Sequence, residues 1–260
     1  MKKKTILITN DDGFESKGLH ALQEALSEIA NIVTVAPTIE KSACGHSLTL
    51  TRPLRFIELK KDFYKLDDGT PSDCIFLSLT KLFKDKKPDL VVSGINIGAN
   101  LGEDITYSGT ASAAMEAVLQ GIPAVAISQV CKGNCKDLDF SLAKKVIKDI
   151  VTKIFKDGYP LDDRKFLNIN VPPLALKDYK GSKITHAGRR SYGFDAQVHY
   201  NPRGLEYYWI GLPKIDWTPT KNPLHDYSDI EAIRDNFVSI TPIHLDMTHY
   251  DSIKRVQNWI

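Results

Sequence analysis

The sequence has few cysteines, no long apolar run and no large excess of charge of one sign. Four cysteines in 260 residues are too few for a disulfide scaffold. No segment approaches the roughly 20 apolar residues of a membrane-spanning helix, and a net charge of +2 does not favour nucleic-acid binding. The apolar run near the start stops at Asn10, which is too early for a signal peptide. We therefore expect a cytoplasmic protein that neither enters a membrane nor binds nucleic acid.

The spacing of the cysteines argues against a metal or redox motif. Cys131 and Cys135 are separated by three residues, whereas redox pairs have the C-x-x-C spacing. No second cysteine or histidine pair follows at the spacing of a zinc finger. We expect a structural or incidental role for both cysteines, and zinc binding is the less favoured alternative.

Short apolar runs alternate with amphipathic segments through the first two thirds of the chain. Residues 6–8 predict a buried strand, residues 18–30 a helix and residues 32–36 a second strand, which together form a β-α-β unit. Further strands are predicted at 89–93, 124–128, 166–171 and 237–242, with an extended strand or hairpin arm at 48–59. Further helices are predicted at 70–83, 110–120, 137–155 and 251–259. This alternation is typical of an α/β domain with a mostly parallel sheet.

The last third of the chain differs in composition. Residues 183–225 are rich in aromatic residues, glycine and proline, which predicts hairpins that project from the main domain. Exposed aromatic hairpins usually need a partner, so we expect contacts between subunits here. We predict one domain over residues 1–260, with a core at 1–182 and an oligomerisation region at 183–260 that returns to the core.

An acidic cluster follows the first predicted strand. Asn10, Asp11, Asp12 and Gly13 place two adjacent carboxylates after a buried segment, where they repel each other. A divalent cation that prefers oxygen ligands would relieve this repulsion. Asparagine, aspartate and glycine are also frequent turn formers, so a capping turn fits the segment equally well.

A glycine-punctuated segment follows the strand predicted at 89–93. Gly94, Gly98 and Gly102 recur every four residues, and Asn96 and Asn100 supply amide groups. The segment is neither a Walker A loop nor a G-x-G-x-x-G dinucleotide motif. A structural loop fits the pattern, but two asparagines at a strand end favour a role in function.

Hydroxyl groups precede the helix predicted at 110–120. Ser108, Gly109 and Thr110 place hydroxyls and backbone amides at a helix N-terminus, which can bind a phosphate. Ordinary N-capping explains the same residues. In the loop after the second strand, Ser42 can reach the same edge of the sheet, and His46 is either a surface residue or a general acid.

These clusters are expected to converge, because ligands of open α/β sheets bind outside the carboxyl ends of the strands. Together they predict a divalent metal held by two aspartates and an asparagine, beside a phosphate held by a helix N-terminus. Such a combination is a metal-assisted phosphomonoesterase site.

Over nearly its whole length, the sequence resembles the SurE family of survival proteins, which are metal-dependent 5′-nucleotidases. The matching stretches are, in chain order, 8–13, 35–37, Ser42, 47–50, 69–74, 88–96, Gly98, 100–102, 107–110, 113–116, 168–172 and 238–242. The resemblance implies a Rossmann-like, three-layer α/β/α core. It also implies a C-terminal β-hairpin extension that subunits exchange in a homodimer or homotetramer.

The resemblance further implies the roles of individual residues. One divalent ion per subunit, Mg²⁺ or Mn²⁺, would be held by Asp11, Asp12, Ser42 and Asn96. The residues expected to bind the phosphate or substrate are Asn10, Asn96, Asn100, Ser108, Gly109 and Thr110. The residues expected to be catalytic are Asp11, Asp12, Asn100 and Ser108. Residues 43–46 and 188–201 depart from the family pattern, which leaves the preferred base and sugar open.

The predicted reaction is hydrolysis of nucleoside 5′-monophosphates, with 3′-monophosphates and short polyphosphate as further candidate substrates. Asp11 or Asp12 would orient the attacking water, and Asn100 with the donors at residues 108–110 would stabilise charge on the phosphoryl oxygens. No lysine or arginine is assigned to the site, so the metal is expected to supply most of the positive charge. Two rival functions are a receiver-like regulator that binds Mg²⁺ without catalysis and a nucleotide-binding transferase. The first leaves the segment 94–110 without a role.

Overall fold

A computed structural model describes residues 3–131, 133, 135–191, 196–210, 216–218 and 227–260. Three parts of the region predicted to form aromatic hairpins, at 192–195, 211–215 and 219–225, lie outside the described residues.

The described elements alternate as the sequence predicts. The strands are β1 (Thr5–Thr9), β2 (Asn31–Pro37), β3 (Arg55–Lys60), β4 (Phe63–Asp67), β5 (Leu90–Ile97), β6 (Ala124–Gln129), β7 (Lys165–Val171), β8 (Ser182–Ile184), β9 (Arg189–Ser191), β10 (Ala196–Tyr200), β11 (Glu206–Ile210), β12 (Asp216–Thr218) and β13 (Val238–His244). The α-helices are α1 (Lys17–Ser27), α2 (Pro71–Leu77), α3 (Gly109–Leu119), α4 (Ser141–Asp157), α5 (Asp229–Arg234) and α6 (Tyr250–Trp259).

The main sheet has its strands in the order β3-β4-β2-β1-β5-β6-β7-β13-β8. The strands from β4 to β7 in this order are parallel, whereas β3 runs antiparallel to β4 and β13 antiparallel to β7. The chain first adds strands on one side of β1 and then continues with β5 on its other side. The carboxyl ends of β1 and β5 therefore flank the topological switch point, where ligands of such sheets bind.

Helices cover both faces of this sheet. Ile6 and Ile8 of β1 pack in one apolar cluster with α1 and α4, whereas Leu7 packs in the opposite cluster with α2 and α3. Successive side chains of a strand point to opposite faces, so a continuous apolar run is what a sheet covered on both sides requires. The predicted three-layer α/β/α architecture with a mostly parallel sheet is confirmed.

Several element boundaries differ from the sequence prediction. Strand β5 continues through Asn96 to Ile97, where a loop was expected, and its register against β6 shifts between Ser93 and Asn96. Only Arg55–Lys60 of the extended segment predicted at 48–59 is a strand, because Thr49 forms hydrogen bonds with the side chain of Asp73 and not with a neighbouring strand. Helix α4 begins at Ser141, since Asp139 accepts hydrogen bonds from its N–H and hydroxyl groups.

The C-terminal part both rejoins the core and projects from it. Strand β13 pairs with β7 and β8 in the main sheet, but every residue of strands β10 and β11 is exposed. Helix α6 has no buried residue. None of the described helices is both long and apolar enough to cross a bilayer.

Candidate active site

The two aspartates after β1 are each fixed by a different element. Asp11 Oδ1 accepts a hydrogen bond from the hydroxyl of Thr110 in the first turn of α3. Asp12 Oδ2 accepts one from the N–H of Ile97, at the end of β5, at 3.2 Å. The ends of β1 and β5 and the N-terminus of α3 therefore meet at this pair of carboxylates.

Gly109 allows α3 to approach Asp11 closely. A Cβ atom at position 109 would lie 2.7 Å from Cβ of Asp11 and 3.0 Å from its Oδ2. Side-chain contacts this short do not occur without displacement of a neighbour. The glycine is thus needed for the helix N-terminus to lie against the carboxylate.

Both carboxylates are harder to ionise than an exposed aspartate. Burial raises the pKa of Asp11, and the hydrogen bonds from Thr110 oppose this effect only in part. Burial, followed by the charge of Asp11, raises the pKa of Asp12 to about 7. Two desolvated like charges favour a bound cation, which would stabilise the ionised form of both groups.

The surrounding oxygen donors fit a divalent ion of the Mg²⁺ or Mn²⁺ type. Asn96 donates its Nδ2–H to the carbonyl of Gly98 at 3.0 Å, and this bond does not use its amide oxygen. Ser42 lines both cavities that adjoin the aspartate pair, and its hydroxyl donates to Glu40 at 2.7 Å. Carboxylate, amide and hydroxyl oxygens are the ligands such hard ions prefer.

No group of three or more histidine, cysteine, aspartate or glutamate side chains forms a metal site in the part of the chain that the structure describes. Beyond the aspartate pair, ligands would have to come from neutral side chains, water or the substrate. This agrees with Mg²⁺ chemistry in proteins, in which one or two carboxylates bind the ion and waters complete its coordination.

Two cavities adjoin the aspartate pair. The Asp11 cavity, of about 460 Å³, is lined by Asp11, Ser42, Asn96, Asn100, Asp104, Ser108 and Arg190, among others. The Asp12 cavity, of about 640 Å³, is lined by Asp12, Ser16, Lys17, Glu40, Ser42, Leu138 and Phe140, among others. Ser42 and Ile97 line both cavities. The predicted metal ligands therefore lie where the two cavities meet.

Asn100 is held rigidly by polar residues on two neighbouring strands. Its backbone N–H donates to Asn170 Oδ1 at 2.8 Å, and its Nδ2–H donates to the hydroxyl of Ser128 at 2.8 Å. Its carbonyl accepts hydrogen bonds from Asn168 at 2.9 Å and Asn170 at 3.0 Å. These bonds fix the orientation of the amide on the cavity wall.

The residues at the N-terminus of α3 are engaged within the protein. The hydroxyl of Ser108 accepts from the N–H of Ala111 at 3.0 Å, so Ser108 is the N-cap and also lines the Asp11 cavity. Thr110 is fully buried and its hydroxyl contacts Asp11. Gly109 has no side chain and the Thr110 hydroxyl is bonded to Asp11, so any phosphate contact from these two residues would come through backbone amides.

Two other residues named from the sequence do not reach a cavity wall. Asn10 is fully buried and donates its Nδ2–H to the carbonyl of Gly13 at 2.9 Å, as a turn residue would. The ring of His46 contacts Glu116 Oε2 at 2.9 Å and lines neither cavity. His46 instead connects the loop that carries Ser42 to helix α3. The roles of Asn10 in phosphate binding and of His46 as a general acid have no support from this placement.

Cys131 and Cys135 form a disulfide, which agrees with a structural role and rules out zinc binding by this pair in that state. Cys131 lines the Asp11 cavity and Cys135 the Asp12 cavity. Cys44 and Cys74 are free thiols.

Sequence reasoning missed several polar residues of this region. The sequence analysis assigns no arginine to the site, whereas Arg190 lines the Asp11 cavity. No motif around Arg190 signals this position, since β9 is far from β1 and β5 in the sequence. In contrast, Asn168 and Asn170 alternate on one face of an otherwise apolar strand, and this pattern could have indicated a buried polar network.

The fold and the site define an α/β protein with two adjacent carboxylates at its topological switch point, next to a helix N-terminus. The family model described as "Survival protein SurE" matches residues 6–194. The chain belongs to the SurE family.

Individual relatives match over nearly the full length. The chain is 60% identical to "5′-nucleotidase SurE" of Sulfurovum sp. (strain NBC37-1), with 100% of this chain and 98% of that protein covered. It is 57% identical to "5′-nucleotidase SurE" of Helicobacter hepaticus, with 99% of each covered. The crystal structure of the SurE protein from Aquifex aeolicus superposes with a TM-score of 0.82 at 41% identity, covering 98% of this chain and 99% of that one. The predicted family is confirmed, and the predicted activity agrees with the name these relatives carry.

Proposed function

We propose that the protein is a divalent-metal-dependent 5′-nucleotidase that hydrolyses nucleoside monophosphates to nucleoside and phosphate. The observation that carries the proposal is the convergence of Asp11 and Asn96 on a cavity that also contains Asn100 and Ser108, with Asp12 on the wall of the adjoining cavity. The full-length similarity to proteins named 5′-nucleotidase supports the same activity.

The proposed metal site uses Asp11, Asp12, Ser42 and Asn96 as ligands for one Mg²⁺ or Mn²⁺ ion. Such an ion supplies Lewis acidity at the phosphoryl group. Thr110 and the N–H of Ile97 hold the two carboxylates in fixed orientations. Asp11 or Asp12 also orients the attacking water in line with the bond that breaks.

The proposed phosphate site lies on the other side of the Asp11 cavity. Asn100, whose side-chain amide is bonded to Ser128 and whose backbone N–H is bonded to Asn170, faces the phosphoryl oxygens together with Ser108. The helix N-terminus at Gly109 adds the positive end of a helix dipole. Donors that are already oriented stabilise charge that develops in the transition state without reorganisation.

Phosphate release from p-nitrophenyl phosphate and a panel of nucleoside monophosphates, with Mn²⁺ or Mg²⁺ and with EDTA, tests this function. We expect activity that requires metal and that is lost in Asp12→Asn, whereas Asp85→Asn, which alters an exposed acid outside both cavities, should retain it. Activity that survives EDTA would contradict the metal site. An absence of release from every phosphomonoester would favour the non-catalytic regulator.

We also propose that the hairpin β10–β11 and helix α6 form contacts between subunits in a homodimer or homotetramer. Tyr208, Trp209 and Ile210 are 64%, 67% and 93% exposed in the isolated chain, and exposed apolar surface of this kind indicates an interface. Light scattering after size exclusion should show smaller particles for Trp209→Lys/Ile210→Lys than for Leu50→Lys, which alters an exposed apolar residue outside the hairpin. The same mass for both variants would contradict the proposal.

A further inference from the structure

Arg190 is a largely buried cation on the wall of the Asp11 cavity. Its side chain is only 14% exposed, and it lines the cavity together with Asn100 and Ser108. Among the described residues that line this cavity, it is the one lysine or arginine. Arginine is rarely buried unless it is paired with an acid or bound to a ligand, so the role of this buried side chain has to be identified.

The position of Arg190 is fixed to the segment that leads into α3. Its guanidinium forms an ion pair with Asp104, and its backbone N–H donates to Glu103. The carbonyl of Asp104 in turn accepts a hydrogen bond from the N–H of Ser108 at 3.1 Å. The arginine and the helix N-terminus are therefore held in one rigid arrangement around Asp104.

A second clamp holds strand β9 against this segment. The buried carboxylate of Asp229 accepts hydrogen bonds from the N–H groups of Gly102 and Gly188, both at 2.8 Å. A Cβ atom at Gly102 would lie 2.7 Å from the carbonyl oxygen of Gly188, so these two segments of the chain are too close for any residue other than glycine at position 102. Asp229 thus holds the start of β9 next to the turn that contains Asp104, and it does so independently of the ion pair between Arg190 and Asp104.

The charge of the site explains why an arginine would be useful here. A phosphomonoester brings up to two negative charges into a cavity that already has Asp11 on its wall. A metal ion held as proposed would balance the aspartate pair, while Asn100 and the helix N-terminus offer only neutral or partial charges. A guanidinium has five N–H donors in a planar fork that matches two phosphate oxygens, and an ion pair with Asp104 orients this fork.

We propose that Arg190 is a substrate-binding residue that contacts the phosphate group of the nucleotide. The proposal rests on the proposed phosphomonoesterase function and adds a cationic contact to the metal and the helix N-terminus. Asp104 is then a positioning residue, since it acts on the substrate through Arg190.

The test compares Arg190→Gln and Arg190→Lys with Arg189→Gln, which alters the exposed arginine next to it on β9. Isothermal titration of inorganic phosphate into the Mn²⁺-loaded protein measures the contact directly. Loss of a charge-assisted hydrogen bond predicts phosphate binding about 10–100-fold weaker in Arg190→Gln, with partial recovery in Arg190→Lys. Arg189→Gln should bind phosphate as the unaltered protein does, and unchanged binding in Arg190→Gln would overturn the proposal.

Kinetics separate a phosphate contact from a nucleoside contact. KM should rise by a similar factor for a nucleoside 5′-monophosphate and for p-nitrophenyl phosphate, because both present the same phosphate. A rise for the nucleotide alone would place Arg190 on the nucleoside and overturn the proposal. If the unaltered protein hydrolyses no phosphomonoester, the proposed function fails, but the phosphate titration still decides the role of Arg190.

Removal of a buried cation can also destabilise the protein by leaving Asp104 unpaired. The double variant Asp104→Asn/Arg190→Gln replaces the ion pair with two neutral groups and controls for this effect. We expect it to recover thermal stability without recovering phosphate binding. Recovery of both would show that Arg190 has only a structural role.

Discussion

Replacement of Thr110 with valine separates two roles that this residue could have. The resemblance to the SurE family makes Thr110 a phosphate contact, but in the structure its hydroxyl donates to Asp11 and its side chain is fully buried. Valine keeps the branched shape and removes the donor, so one lone pair of a buried carboxylate loses its partner. The variant thus tests whether Thr110 acts through the proposed metal ligand or on the substrate.

The expected loss of metal affinity follows from the hydrogen bond that Thr110→Val removes. A hydrogen bond to a charged group contributes about 1.5–3 kcal/mol, and loss of a residue that orients a metal ligand lowers metal affinity by about 10–100-fold. We therefore expect the Kd for Mn²⁺, measured by calorimetry without substrate, to rise about 10–100-fold in Thr110→Val. Thr110→Ser keeps the hydroxyl and should retain most of the affinity. An unchanged Mn²⁺ affinity in Thr110→Val, together with a higher KM for nucleotide, would refute this reasoning and support the phosphate contact.

Three further predictions follow from close contacts and covalent bonds. Gly109→Ala should lower the free energy of unfolding by about 1–3 kcal/mol through overpacking against Asp11, although alanine favours helices; an unchanged Tm would show that the contact adjusts freely. Asp229→Asn should leave one backbone donor unsatisfied, which costs about 1–3 kcal/mol, and should raise KM; full stability with an unchanged KM would mean that the clamp is dispensable. Denatured protein purified without reductant should show two free thiols, and additional ones after dithiothreitol, whereas a full set before reduction would exclude the bond between Cys131 and Cys135.

The sequence could predict the layers of the fold because each depends on a local pattern. The apolar run of β1 and the helical spacing of Leu19, Leu22 and Leu26 in α1 both require burial, and burial on two faces of a sheet yields the observed clusters. The sequence predicts strand β5 too short, because Gly94, Gly98 and Gly102 indicate a loop that starts directly after Ser93. The place of Asn96 in the strand depends on pairing with β6 across an irregular register, which the local sequence does not contain.

For the site, the sequence by itself determined that two adjacent carboxylates follow a buried strand and that hydroxyl residues begin a helix. Chain order and the rules for parallel sheets were enough to expect Asp11, Asp12 and Ser108 at one edge. Only the tertiary structure decided that Thr110 donates a hydrogen bond to Asp11, that His46 contacts Glu116, and that Arg190 lines the Asp11 cavity. These contacts join segments far apart in the chain, so they depend on how the layers pack and on close approaches such as the one that Gly109 permits.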